Sequence, residues 1–156
     1  ILILRRKFIK SLLVLGITTI SEVVLAHNLT WRPTHHMGEL TCKCGCGGCN
    51  MNTDFMTKLE KIRDEWYRQS NRVLKVSSGY RCKSHNRAVS KFASKDGSGP
   101  HTFGKAVDIT ISGRDSKILY KIAKKHMTGI GISRNYIHLD SLTSAEAPRP
   151  TVWRYS

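Results

Sequence analysis

Apolar positions with helical spacing dominate two stretches of the chain. Between residues 53 and 68 they recur every three or four positions, which predicts an amphipathic helix. Its buried stripe consists of Phe55, Leu59, Ile62 and Trp66. Asn52 and Asp54 suit the start of that helix. The same spacing predicts a second helix over 115–125, and residues 85–93 allow a short third one. The inward positions of the second helix are Ile118, Leu119 and Ile122.

Shorter stretches of extended or alternating pattern predict four strands. These are residues 72–78, 106–111, 129–133 and 136–140. The first strand enters a turn at Gly79 and Tyr80, and a turn at Arg134 and Asn135 separates the last two. Strands that follow one another through short turns, with helices on the other face, predict an α+β fold. We expect a small antiparallel sheet with helices packed on one face.

The first 26 residues have the three parts of an export signal. A basic segment that includes Arg5 and Arg6 precedes an apolar stretch, and Ala26 offers a small residue for cleavage. The paired arginines resemble a twin-arginine signal, so we expect the twin-arginine export machinery as a partner and the periplasm or cell envelope as destination. A membrane-anchoring helix is the alternative. The apolar run is shorter than the roughly 20 residues that a span needs, and Glu22 interrupts it, so we expect no permanent membrane span.

The charge of the chain favours an anionic partner. Its 26 Lys and Arg outnumber 11 Asp and Glu, which gives a formal net charge of +15. Loss of the signal would remove four basic residues and one acidic residue and leave about +12. A nucleic acid, an anionic membrane and an anionic cell-wall polymer all fit this charge. Because no nucleic-acid readout motif is present, we expect no nucleic acid as partner.

Two segments carry candidate chemistry. His101 and Asp108 lie seven residues apart, and Asp108 lies on the strand face opposite its hydrophobic neighbours. In the last predicted strand, Tyr136, His138 and Asp140 share one face. Two imidazoles and one carboxylate form the ligand set of a catalytic zinc with an open fourth position. On spacing alone, a His and an Asp seven residues apart are more often ordinary surface residues.

Three motifs resemble the zinc D-Ala-D-Ala carboxypeptidase family of peptidoglycan peptidases, whose fold hedgehog domains share. They are Ser78-Gly79-Tyr80-Arg81, the segment from His101 to Asp108, and Ile137-His138-Leu139-Asp140. The resemblance covers roughly residues 38–156. It implies one monomeric peptidase domain over 27–156 that cuts peptidoglycan peptides, with a metal site in a cleft on the sheet.

The resemblance also implies the roles of individual residues. His101, Asp108 and His138 would hold one Zn²⁺. Arg81 would face the metal, bind the substrate and stabilise the oxyanion. We include Ser78 and Tyr136 among the substrate-binding candidates, Tyr136 as a hydrogen-bond donor.

The general base is where the sequence departs from the family. Some members place an acidic residue three positions before the last histidine ligand, and here that position is Asn135, which cannot accept a proton. Asp140 is our catalytic candidate, either as the base or as the partner of a ligand imidazole. The missing acid also leaves open a zinc-containing module that binds peptidoglycan without cutting it.

Five cysteines form the last feature. Four lie in the loop 42–49, and the fifth directly follows Arg81. They are Cys42, Cys44, Cys46, Cys49 and Cys82. A metal knuckle and a disulfide staple are the alternatives. A four-cysteine zinc site usually draws on two separated pairs of cysteines, for which this run is very short, and an oxidising compartment favours disulfides. A bridge from the loop to Cys82 would brace Arg81, and the odd number leaves at least one thiol unpaired or paired between molecules.

Overall fold

The computed structural model describes residues 37–155. The predicted export signal lies outside these residues, so that interpretation stays a prediction. The helices are α1 (Met37–Leu40), α2 (Thr53–Ser70), α3 (Lys83–Val89) and α4 (Gly113–Ala123). The strands are β1 (Ala106–Thr110), β2 (Gly129–Ile132), β3 (Tyr136–Asp140) and β4 (Thr151–Arg154). Within the described residues, no helix is long and apolar enough to cross a membrane.

The four strands form one sheet in the order β1-β3-β2-β4. Strand β3 pairs antiparallel with both β1 and β2. Strand β4 pairs parallel with β2, so the expectation of a purely antiparallel sheet was wrong. After β3, the connection over 141–150 carries the chain to the free edge of β2, where it runs opposite to β3. The mixed α+β class is confirmed.

The hydrophobic core lies on one face of the sheet. The strands contribute Val107, Ile109, Ile130, Ile137 and Leu139. The two long helices contribute Phe55, Leu59, Ile62, Trp66, Leu119 and Ile122. The stripe predicted for α2 is therefore confirmed. Because strand side chains alternate, Asp108 and His138 lie on the opposite face of the sheet from this core.

The start and end of α2 follow from local chemistry. The side chain of Asn52 accepts a hydrogen bond from the backbone N–H of Phe55 at 3.0 Å, which caps the helix as the sequence predicts. Asn71 ends the helix with a left-handed backbone, and its N–H donates to the carbonyl oxygen of Tyr67 at 2.7 Å.

The segment 72–78 is not a strand, which corrects the sequence prediction. Its apolar residues Leu74 and Val76 are buried. The N–H of Val76 donates a hydrogen bond to the carboxylate of Glu39. This carboxylate replaces the backbone carbonyl acceptor that a neighbouring strand would provide. Backbone pairing with β1 begins only at Ser77, whose N–H donates to the carbonyl oxygen of Asp108 at 2.9 Å, and Ser78 forms an isolated antiparallel bridge to Asp108. This bridge places the turn that carries Arg81 beside β1.

Candidate metal centre

The three predicted metal ligands come together on the face of the sheet opposite the hydrophobic core. His101 lies in the turn before β1, and Asp108 and His138 are directly opposite each other on β1 and β3. One ligand atom from each residue lies within 4.8 Å of the other two, so the group could hold a metal ion. Both imidazoles are buried, and their ring centroids are 5.1 Å apart.

The orientation of His101 is fixed from outside the centre. Its Nδ1 lies 2.7 Å from the carbonyl oxygen of Gly79. Because that oxygen can only accept, Nδ1 carries the proton. The other nitrogen, Nε2, is buried without a hydrogen-bond partner and lies 3.3 Å from Oδ1 of Asp108. A neutral ring therefore directs a lone pair at a carboxylate oxygen, an arrangement that a cation between them would stabilise. Burial lowers the pKa of His101, which favours this neutral ring.

His138 lies between two carboxylates. Its Nδ1 is 2.8 Å from Oδ1 of Asp108, and its Nε2 is 3.4 Å from Oδ2 of Asp140. Burial acts to lower the pKa of His138, but the two carboxylates outweigh it, and the pKa is raised. With the proton on Nε2, Nδ1 offers its lone pair toward Asp108. A bound cation would take the place of the second proton of this ring. The donor set of two imidazoles and one carboxylate therefore fits a divalent metal.

The two oxygens of Asp108 have separate partners. Oδ1 faces the imidazoles, while Oδ2 accepts a hydrogen bond from Nη2 of Arg81. The Nε of Arg81 donates to the hydroxyl of Ser78 at 2.9 Å. Burial acts to raise the pKa of Asp108, but the imidazoles of His101 and His138 beside it hold that pKa well below its usual range. The structure thus brings Arg81 to the same carboxylate that faces both imidazoles, with the hydroxyl of Ser78 holding its guanidinium.

Asp140 lies beside Nε2 of His138, whereas Asp108 faces Nδ1 of the same ring. Its side chain has no exposed surface and accepts hydrogen bonds from Arg149 Nε at 2.9 Å and Nη2 at 2.6 Å. The N–H of Leu142 donates to it at 3.1 Å. Burial acts to raise the pKa of Asp140, but His138 and Arg149 hold it low. Of the two roles left open for Asp140, this geometry favours that of partner to a ligand imidazole.

Sequence reasoning gave no role to Arg149 or to the aromatic residues near the C-terminus. Trp153 lies with its ring centroid 5.6 Å from that of His138. The ring centroid of Tyr155 lies 5.3 Å from that of Tyr136, one of the predicted substrate-binding residues. We call Tyr136, Trp153 and Tyr155 the aromatic wall. Burial, together with the charge of Asp108, raises the pKa of Tyr136, so its phenol stays protonated at neutral pH. The pairing of β4 with β2 brings this C-terminal segment to the metal centre, and no local sequence pattern predicts these contacts.

The cysteines do not form the disulfide staple that the sequence favoured. All five are free thiols in the structure. Four of them, Cys42, Cys44, Cys46 and Cys82, form a second group whose sulfurs lie within 4.8 Å of one another. Cys49 instead packs against the hydrophobic core.

Comparison with known proteins adds a family match. A family model described as Peptidase M15 matches residues 34–140 of the 156-residue chain. The matched segment is more than half of the chain and contains His101, Asp108 and His138. A search of curated proteins finds no match.

Proposed function

The chain belongs to the Peptidase M15 family and is therefore a peptidase, and we propose that it is a zinc enzyme that hydrolyses peptide bonds of bacterial peptidoglycan. The bonds are those of stem peptides or of the cross-links between them. One observation carries the zinc part of this proposal: the buried, unpartnered Nε2 of His101 points at a carboxylate that also faces His138.

One zinc ion at this centre would be held by His101, Asp108 and His138, which leaves a coordination position open. Bound there, zinc would supply a Lewis acid that polarises the scissile carbonyl and lowers the pKa of a water molecule. The remaining chemistry falls to side chains around the three ligands.

Arg81 is the proposed oxyanion and substrate group. Its guanidinium is only 14% exposed, is fixed by Ser78 and Asp108, and carries a permanent positive charge. A preorganised cation of this kind binds a substrate carboxylate or carbonyl oxygen and stabilises the negative charge that develops on it. The protonated phenol of Tyr136 is suited to donate a hydrogen bond to the same substrate, and the rest of the aromatic wall provides apolar contact beside His138.

We assign Asp140 to positioning. Its Oδ2 lies 3.4 Å from Nε2 of His138, so Nδ1 of that ring remains directed at Asp108. Arg149 and the N–H of Leu142 hold the carboxylate in place. A partner of this kind raises the basicity of a metal ligand and fixes its tautomer.

The peptidoglycan substrate is supported by the net charge and by the sequence motifs. The formal charge of about +12 that would remain after loss of residues 1–26 attracts the anionic polymers of a bacterial cell wall. Together with the export expected from residues 1–26, this charge supports an enzyme that acts in the periplasm or cell envelope.

A second candidate is a zinc-containing module that binds peptidoglycan without cutting it. Two observations favour it: Asn135 occupies the position where some family members carry an acid, and Asp140 is committed to Arg149. Such a module would keep the metal and the substrate contacts but would lack a group to accept the proton of the attacking water.

Digestion of purified peptidoglycan separates the two candidates. The protein is incubated with cell-wall sacculi and with soluble muropeptides, and the products are identified by mass spectrometry. The peptidase proposal predicts fragments that have gained one water at a peptide bond, lost with a chelator and restored by zinc. His138→Ala is the matched negative control. Co-sedimentation with sacculi without any product would support the binding module and overturn the peptidase proposal.

A further inference from the structure

Four thiols converge at a place separate from the His101 centre. Three of them lie in the loop that precedes α2, namely Cys42, Cys44 and Cys46. The fourth, Cys82, is the residue directly before α3. The Sγ atoms of Cys42 and Cys44 are 3.4 Å apart, and those of Cys44 and Cys82 are 3.6 Å apart. Four sulfurs at the usual zinc–sulfur distance of about 2.3 Å form a tetrahedron with edges of about 3.8 Å. The observed spacings are close to such edges.

The arrangement differs from that of two disulfides. A disulfide bonds two sulfurs at about 2.05 Å, and it does not fix the distance from either of them to the sulfurs of other cysteines. Here Cys44 approaches Cys42 and Cys82 about equally, and all four sulfurs lie within 4.8 Å of one another. A shared partner at the centre of the group explains this mutual proximity, whereas pairwise bonding does not.

The backbone around the thiols is arranged to support thiolates. The N–H of Cys82 points at the sulfur of Cys42 at 3.3 Å, and the N–H of His85 points at the sulfur of Cys82 at 3.4 Å. The loop closes through a hydrogen bond from the N–H of Cys42 to the carbonyl oxygen of Gly48 at 2.7 Å. Its tight turn needs a left-handed backbone at Gly45, where φ is +82°.

We propose that Cys42, Cys44, Cys46 and Cys82 bind a second zinc ion in a closed tetrathiolate site. Four protein ligands leave no open coordination position, so this zinc is structural. Thiolate sulfur is the donor that suits tetrahedral Zn²⁺ best among the side chains present. The proposal does not depend on the peptidase assignment, because it uses none of the residues of the His101 centre.

The site would connect two segments that are far apart in sequence. Loop 42–49 precedes α2, while Cys82 directly follows Arg81, the proposed substrate-binding cation. The N–H of Tyr80 also donates to the carbonyl oxygen of Leu40 at 2.9 Å, so the two segments are already in contact. Zinc bound by the four thiolates would fix the turn that carries Arg81 without the disulfide expected from the sequence.

Zinc counting on intact protein tests the proposal. Native mass spectrometry and elemental analysis of the wild-type protein should give two zinc ions per chain. Cys44→Ser and Cys46→Ser should each lose one of them, and both side chains are exposed, so neither change opens the core. Cys49→Ser is the matched control and should keep both ions. His101→Ala should also lose one ion but keep the thiolate-bound one, so failure of either site is seen separately.

Cobalt gives a second readout. After exchange of zinc for Co²⁺, thiolate-to-cobalt charge-transfer absorption should appear in the wild-type protein and in His101→Ala, and should be much weaker in Cys44→Ser. Two results would overturn the proposal: an intact mass two or four daltons below the reduced value, with the cysteines joined as disulfides, or a zinc content that Cys44→Ser and Cys46→Ser leave unchanged.

Discussion

At the scale of single residues, each imidazole is oriented by an acceptor outside the metal centre. The carbonyl oxygen of Gly79 takes the Nδ1 proton of His101, and the carboxylate of Asp140 lies beside Nε2 of His138. The two rings therefore present different nitrogens to Asp108. Outer partners of this kind set the tautomer of a ligand and hence its affinity for the metal.

Asp140→Asn tests whether Asp140 positions His138 or accepts a proton. Loss of the carboxylate weakens the hold on Nε2, so we expect zinc affinity at the His101 centre to fall about 10–100-fold. The turnover number measured at saturating zinc should change far less. Competition with a chromophoric chelator gives the affinity, and digestion of a stem peptide gives the turnover. Asp115→Asn, which breaks an ion pair with Arg72 at the surface, is the control.

The opposite pattern would establish Asp140 as the general base. In that case zinc affinity stays at the wild-type value, while turnover falls by about 10²–10⁴-fold, the usual contribution of a positioned acid or base.

Arg81→Lys tests the proposed oxyanion group. Lysine keeps the charge but loses the planar fork that contacts Ser78 and Asp108 together. We expect kcat/KM to fall about 10²–10³-fold, the effect of removing one oxyanion donor, with zinc content unchanged. Arg72→Lys is the matched control, since Arg72 contacts Asp115 and Trp66 instead. An unaltered kcat/KM in Arg81→Lys would remove this residue from the reaction.

At the scale of elements, β2 makes room for the site. Gly129 is opposite Asp140 in the sheet, and Gly131 is opposite His138. A Cβ at Gly129 would lie 2.2 Å from Oδ2 of Asp140, and one at Gly131 would lie 2.7 Å from the rings of Trp153 and Tyr155. Both glycines are therefore required by the close approach of buried side chains.

Gly129→Ala should disturb the Asp140–Arg149 pair. The added methyl group must displace a fully buried carboxylate, and overpacking of this kind costs about 1–3 kcal/mol. We expect a Tm several degrees below that of the wild type, measured by calorimetry, together with weaker zinc binding at the His101 centre. Gly38→Ala serves as control because a Cβ there meets no atom within 4 Å. Equal Tm values for the two variants would contradict this account of β2.

The elements that could be predicted are those whose pattern is local. Helix α2 has a complete apolar stripe and a capping Asn52, so both its type and its start follow from its own residues. Strand β4 could not be predicted from its own residues. They are half-buried or exposed in the fold, and they form a strand because they pair with β2. Segment 72–78 gave a wrong strand prediction for the converse reason. Its alternate residues Leu74 and Val76 are buried, as in a strand, but the N–H of Val76 donates to Glu39 rather than to a neighbouring strand.

The same distinction applies to the site. His101, Asp108 and His138 could be identified because their motifs match a family in the correct order along the chain. The partnership of Asp140 with Arg149 depends on how the segment after β3 folds back, and no local pattern specifies it. The four-thiol group likewise requires Cys82 to meet a loop about 40 residues earlier in the sequence.

At the scale of the whole described region, core and site lie on opposite faces of the sheet. The buried cluster of α2, α4 and the strands contains neither ligand histidine. The candidate metal ligands, Arg81 and the aromatic wall are gathered on the other face from segments distant in sequence. Removal of metal from the His101 centre should therefore abolish activity without unfolding the core. The folded protein without this metal can then be reloaded and its activity measured.

Zinc titration of the metal-free protein tests the central claim most directly. The rate of hydrolysis of a peptidoglycan stem peptide is followed by mass spectrometry as zinc is added back, with circular dichroism as the check on folding. We predict no turnover without metal, recovery to the full rate with zinc, and no recovery at any zinc concentration in His101→Ala. Undiminished hydrolysis by the metal-free protein, or normal hydrolysis by His101→Ala, would contradict a zinc peptidase built on His101, Asp108 and His138.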